Sequence, residues 1–198
     1  MLYRVNAIPL TIEGFKPYGS IISPGEEVTK LGSNYINANQ GTAIKLGQVS
    51  QIETTSENKV PNWNLFRCFV QPHLKTQFPP KKTIGHSIIV LEKHPESSQT
   101  FIPIGQSSEK VTYLIVVALP NRHTSEGSPL LNTLKAFKCK GNQAVTYGRG
   151  VWHAPMIAVG TQEYVDFGVL IYETLDPQKP ELDCIEVSYV PNEIIINI

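Results

Sequence analysis

Tyr147-Gly148-Arg149-Gly150-Val151-Trp152-His153-Ala154-Pro155 is the stretch that decides how this chain folds. Two glycines open it, a proline closes it, and a histidine stands between an aromatic residue and the exit. That spacing forbids a helix through His153, because glycine and proline interrupt helical backbone on both sides. The stretch reads as a tight turn feeding a strand, with His153 aimed inward. Apolar runs follow at residues 156–159 and 164–172. A second histidine, His94, stands upstream in Leu91-Glu92-Lys93-His94-Pro95, and the two stretches are expected to form one site.

Working outward, strand patterns recur at residues 88–91, 100–104, 111–119, 134–139, 144–147 and 184–190. Turn signals about every ten residues mark a β-sandwich or barrel. No window holds a helical period for the dozen or so residues a stable helix needs. Towards the N-terminus, Thr11 caps one short helix at residues 11–15, which Pro17 and Gly19 stop. Residues 20–24 read as a short strand and 25–41 as an extended connection. Residues 41–46 alternate, placing Lys45 on the face opposite Ile44, and residues 63–70 form a strand with Arg67 at its middle. The expectation is one mainly β domain over 1–198, with an irregular arm to about residue 60 and a barrel over about 61–190.

Seventeen basic residues balance 17 acidic ones in 198 residues. Zero net charge argues against nucleic acid or an anionic membrane as partner, since both select a basic excess. No apolar run reaches the length of a membrane span, and the N-terminus lacks a signal-peptide core. Cys68, Cys139 and Cys184 stand singly among strand residues, as reduced core thiols of a cytoplasmic protein would.

Two motifs resemble those of cupin jelly-roll barrels (the double-stranded β-helix). The first cupin motif runs His-x-His, three or four residues, Glu, and a glycine about six further on. Here Glu92-x-His94 precedes four residues and Gln99, with Gly105 six beyond it; the second motif, Gly-x-x-His, is Gly150-Val151-Trp152-His153. The spacing is kept while Glu92 and Gln99 replace two of the metal ligands, which strengthens the fold and weakens the metal. Any divalent metal in the cup would be held by Glu92, His94, Gln99 and His153; no cofactor is obligatory from the sequence. Taken alone His94, before Pro95, reads as a surface histidine; its pairing by motif with His153 reverses that reading. Trp152 reads as core or pocket wall.

Beyond the cupin pattern, Glu92-Lys93-His94-Pro95, residues 99–103 and Tyr147-x-x-Gly150-x-Trp152-His153-x-Pro155 resemble the ureidoglycolate lyase family. Residues 39–45, 61–67 and 141–147 resemble its yeast form in particular, and the likeness runs from about Tyr18 to about Cys184. Bacterial members usually carry Trp-His-His-Pro where this chain has Trp152-His153-Ala154-Pro155. The resemblance implies a cupin-like barrel, a homodimer, and cleavage of ureidoglycolate to glyoxylate and urea in allantoin breakdown. His153 and His94, with Glu92, would then handle protons, since histidine titrates near neutral pH. Lys45 and Arg67 would hold the substrate carboxylate, Arg67 by its fork. Gln99 and Tyr147 would bond the ureido group, with Trp152 walling off water. Arg149 is open between a turn residue and a second clamp for the carboxylate. Two rival classes stand beside the lyase. A metal-dependent oxygenase would use the histidines and Glu92 as ligands, and a non-catalytic cupin would only bind a small acid.

Overall fold

The computed structural model describes residues 2–31, 36–124 and 127–198. Two sheets carry the fold. The larger runs in spatial order β15 (Ile185–Ser188), β7 (Val90–Lys93), β12 (Trp152–His153), β9 (Val111–Pro120), β10 (Pro129–Lys140), β1 (Tyr3–Pro9), β16 (Ile194–Asn197) and β6 (Gly85–Ile88). A further short strand, β13 (Ile157–Ala158), also pairs with β9. The smaller sheet runs β2 (Gly19–Ile22), β11 (Ala144–Tyr147), β8 (Gln99–Ile104), β14 (Tyr164–Glu173) and β5 (Val60–Phe69). A separate hairpin joins β3 (Ile36–Ala38) to β4 (Ala43–Lys45). The larger sheet is mixed, because β1 runs parallel to both β10 and β16, and it curls into a half-barrel. The mainly β, cupin-like expectation holds.

Strand β9 explains how two cores arise. Its residues alternate between faces, and both faces are buried. Tyr113, Ile115 and Val117 pack between the two sheets with Phe101, Phe137, Val145 and Phe167. Leu114, Val116 and Ala118 face the opposite way, into a second core with Leu91, Ala136, Trp152 and Ile194. A strand buried on both faces reads in sequence as an unbroken apolar run, which is how residues 111–119 read.

The N-terminal stretch departs from the expected irregular arm. Tyr3, Val5 and Ala7 sit at every second position of β1 and meet the second core, so the strand is built into the larger sheet. Strand β2 joins the smaller sheet, and at the other end β16 lies beyond the expected limit of the barrel. Helix α1 (Ile12–Phe15) forms where expected, with the Gly14 amide donating to Thr11 Oγ1 at 3.1 Å and Phe15 wholly buried. Helix α2 (Pro24–Leu31) lies where an extended connection was expected. Pro24 suits a first helical position, Glu26 and Glu27 favour the positive helix end, and Glu26 pairs with Lys30 at 3.0 Å. Gly25 and the β-branched Val28 and Thr29 hide this short helix from a periodicity reading.

On β6, His86 is buried, its Nδ1 lying 3.0 Å from Nε2 of His73 with the rings stacked. Burial first, and then the charge of His73, push its pKa down from 6.5 to about 4. A depressed histidine stabilises the fold while neutral. As pH falls from 6.5 towards 4, the unfolded chain takes up a proton that the folded one refuses, so stability drops. We expect His86→Gln to remove roughly 2–3 kcal/mol of the stability lost between pH 7 and pH 4, read from urea midpoints across that range. An unchanged pH profile would show that His86 is not the titrating group.

Candidate active site

Strand β12 is two residues long, and its register sorts them. Trp152 lies opposite Ala118; His153 lies opposite Val117 on β9 and opposite Glu92 on β7. His153 therefore shares the inter-sheet face with Val117. The turn before it works as the sequence suggests. Gly150 holds φ +73°, a left-handed backbone that favours glycine, and its amide donates to the His94 carbonyl at 2.8 Å. This bond joins the pairing of His153 with Glu92 in tying the two motifs together. From the other sheet, Tyr147 on β11 lies opposite Gln99 on β8.

Five side chains converge: Glu92, His94, Gln99, Tyr147 and His153. His153 is 1% exposed, and its ring stacks on Tyr147 with centroids 4.0 Å apart and planes 9° from parallel. Its Nε2 lies 3.1 Å from Gln99 Oε1 and 3.4 Å from Glu92 Oε1, and its Nδ1 lies 3.1 Å from the Val151 carbonyl. In the doubly protonated ring both nitrogens donate, Nδ1 to Val151 and Nε2 to the Gln99 and Glu92 oxygens.

His94 is arranged differently, its ring centroid 5.5 Å from that of His153. Its Nδ1 lies 2.6 Å from the Asp183 carbonyl, which can only accept, so Nδ1 carries the proton. The neutral ring then presents a lone pair at Nε2, a buried atom with no partner within hydrogen-bonding distance among the described residues, although the Gln99 side chain lies near enough to favour its protonated form. Burial, reinforced by the neighbouring His153, pushes the His94 pKa from 6.5 down to about 4, so the lone pair persists at neutral pH. Burial alone would raise the Glu92 carboxyl. The hydrogen bond and charge of His153, with the charge of His94, outweigh it and hold Glu92 below the usual carboxylate range. The Tyr147 hydroxyl is buried without a partner too, and burial raises its pKa well above the ordinary value.

Glu92, His94 and His153 each offer a ligand atom, all within 4.8 Å of one another. Two imidazoles and a carboxylate, one imidazole nitrogen being unpartnered, fit a divalent transition metal, with the Gln99 oxygen beside them.

Three expected site residues lie elsewhere. Of the two readings of Trp152, core or pocket wall, the first holds: strand alternation turns it into the second core and away from the substrate-side place the resemblance implied, and its Nε1 donates to the Gly127 carbonyl at 2.7 Å. Lys45 is exposed on the β3–β4 hairpin. Arg67 alternates with Cys68, which packs against the inter-sheet core, and so faces outward. There it pairs with Asp166 at 2.8 and 2.9 Å and lies over the Tyr164 ring at 3.9 Å. Arg149 is exposed on the turn beside His94.

Sequence reasoning missed a group around residue 183. The Asp183 carboxylate accepts from the Thr174 amide at 2.9 and 3.1 Å and from the Thr174 hydroxyl at 2.7 Å. It also accepts from Lys59 Nζ at 2.9 Å, a side chain wholly withdrawn from solvent. Cys184 and Glu186 complete a second cluster with Glu92, the ligand atoms again within 4.8 Å. Burial, then nearby carboxylates, push the Cys184 thiol up to about 12, so it stays protonated. No motif announces these residues: they follow a proline-rich turn and meet the cup through the pairing of β15 with β7 and the bond from His94 to the Asp183 carbonyl.

The curled sheet, with both histidines between the two sheets, is that of a cupin-like β fold. The sequence profile of the ureidoglycolate lyase family matches residues 2–197. The chain is 56% identical over 197 residues to the ureidoglycolate lyase of Saccharomyces cerevisiae, covering 98% of this chain and 99% of the relative. It is 36% identical over 165 residues to that of Schizosaccharomyces pombe (80% of each chain), and 33% identical over 162 residues to that of Burkholderia mallei (82% and 78%). This chain belongs to the ureidoglycolate lyase family.

Proposed function

We propose that this protein is a lyase that cleaves ureidoglycolate to glyoxylate and urea, using the cup as its acid–base centre. The observation that carries the mechanism is the pair of unlike histidines. The substrate is an α-hydroxy acid whose carbinol carbon bears the ureido nitrogen. Cleavage removes the hydroxyl proton, forms the carbonyl of glyoxylate as the carbon–nitrogen bond breaks, and delivers a proton to the departing urea nitrogen. His94 Nε2, a buried lone pair, takes up the hydroxyl proton. His153, backed by Glu92, delivers the proton to urea. The two rings stand 5.5 Å apart, a span one small substrate bridges. Gln99 and the unpartnered Tyr147 hydroxyl bond the ureido group. A second reading, favoured by the 4.8 Å grouping, gives Glu92, His94 and His153 to a divalent ion, which would supply Lewis acidity at the hydroxyl oxygen.

The carboxylate needs a cation. Arg149 takes this part in our reading, because its turn is bonded to His94 while Arg67 is engaged by Asp166 on the outer face. Three cysteines without a disulfide suit action in the cytoplasm, within allantoin breakdown. Among the described residues, no helix is long and apolar enough to cross a membrane.

We further infer a homodimer. The outer face of β5 exposes Trp63 by 62%, Leu65 by 69% and Phe69 by 69%, beside Ile104 and Tyr164 of neighbouring strands. Strand β5 ends its sheet, so this apolar face borders an unpaired strand edge. A patch of this kind marks an association surface rather than free solvent contact.

Chelator-dialysed protein under nitrogen should release glyoxylate and urea in equal amounts. His153→Asn and His94→Gln should each lower kcat about 10²- to 10⁴-fold. Normal turnover in both variants would refute histidine proton transfer. Activity that disappears on chelation and returns with a divalent ion would assign the histidines to ligation, and a requirement for oxygen would make the protein an oxygenase. Arg149→Ala should raise KM by the equivalent of roughly 1.5–3 kcal/mol, the worth of a hydrogen bond to a charged group, while Arg67→Ala leaves it unchanged; the reverse result would return the clamp to Arg67. In light scattering, the wild type should have twice the chain mass and Trp63→Glu with Leu65→Glu should halve it. A monomeric wild type at micromolar concentration would sink the dimer.

A further inference from the structure

We propose that Lys59 and Asp183 are positioning residues that set the tautomer and aim of His94. His94 follows the last residue of β7, so no strand ladder fixes its ring. Among the described residues, the ring's short hydrogen bond runs from Nδ1 to the Asp183 carbonyl. That carbonyl belongs to neither sheet. It follows a single turn of 3-10 helix at Pro180–Leu182, ahead of β15.

Something must therefore hold the segment still, and Lys59 is placed to do it. Its ammonium lies 2.9 Å from Asp183 Oδ1 and 3.6 Å from Glu96 Oε2, and it donates to the Leu182 carbonyl. Asp183 carries the acceptor for His94, Leu182 directly precedes it, and Glu96 is two residues beyond His94 itself. One buried cation thus grips both sides of the His94 hydrogen bond. Thr174, just past β14, holds the Asp183 carboxylate from the opposite direction. A fully buried ammonium is costly unless paired. This one is spent wholly on the two segments that meet at His94. Partners of this kind fix which ring nitrogen carries the proton, and so which one is free to react.

The inference rests on His94 using Nε2 in the reaction, so its test includes a readout that does not need activity. In ¹H–¹⁵N spectra of the imidazole nitrogens, wild-type His94 should be a single Nδ1–H tautomer. Lys59→Met and Asp183→Asn should populate both tautomers and lower kcat on the order of 10- to 100-fold with KM changed less than threefold. Lys59→Arg, which keeps the charge, should restore both. Should Lys59→Met fail to fold, Asp183→Asn with the spectra decides. A pure Nδ1–H tautomer and unchanged kcat in a folded variant would overturn the proposal, even if the thermal midpoint falls. If tautomers mix while kcat holds, positioning stands and the catalytic role given to His94 fails.

Discussion

Everything at this site depends on a strand of two residues held between two others. With Trp152 and His153 hydrogen-bonded to β9 on one side and His153 opposite Glu92 on the other, neither side chain can choose its face. A slip of one residue would put the indole into the cup and the imidazole into an apolar core. The anchor against that slip is the fit of Trp152, 1% exposed, among Leu91, Val116 and Ala118. Its Nε1 finds the Gly127 carbonyl, and the Lys93 ammonium lies 4.7 Å from its ring. The cup histidine is thus placed by a residue that is itself turned into the second core.

Holding polar groups between two apolar cores carries an energetic cost that the structure offsets unevenly. His153 is surrounded by partners, and Glu92 gains from it more than burial takes away. Lys59, Asp183 and Thr174 satisfy one another. Among the described residues, His94 Nε2 and the Tyr147 hydroxyl of the cup have no hydrogen-bond partner, and each such group costs on the order of 1–3 kcal/mol. Stability leaves these atoms unfulfilled where a substrate can bond them.

The fold was legible because its signals are local: strand alternation, Gly150 before Trp152-His153, Thr11 as a cap. The spacing of Glu92, His94, Gln99 and His153 gave the heart of the site, since those residues lie on or beside strands whose register follows from period two. Tyr147 joined them by the same logic. Lys45 and Arg67 did not, and the reason is instructive. Alternation assigns a residue to one of two faces without saying which face is the cup, and Arg67 shares its face with Trp63, Leu65 and Phe69, an apolar outer surface. Asp183 and Lys59 were out of reach for a different cause. They lie 124 positions apart in sequence, and their bond exists only once β14, β5 and β15 are assembled.

Position 154 closes the comparison with the bacterial pattern, where a second histidine stands. Here Ala154 is 3% exposed, its amide donates to the Val116 carbonyl at 2.9 Å, and its methyl packs in the second core. Because His153 faces the cup, the next residue is turned away from it. A histidine at 154 on this backbone would meet the core that holds Ile157 and Leu91 and would need a polar partner there. It could steady β12 from behind, but it could not enter the cup without reversing the register that places His153. The alanine therefore takes nothing from the cup, where the rings of His153 and His94 stand with their centroids 5.5 Å apart.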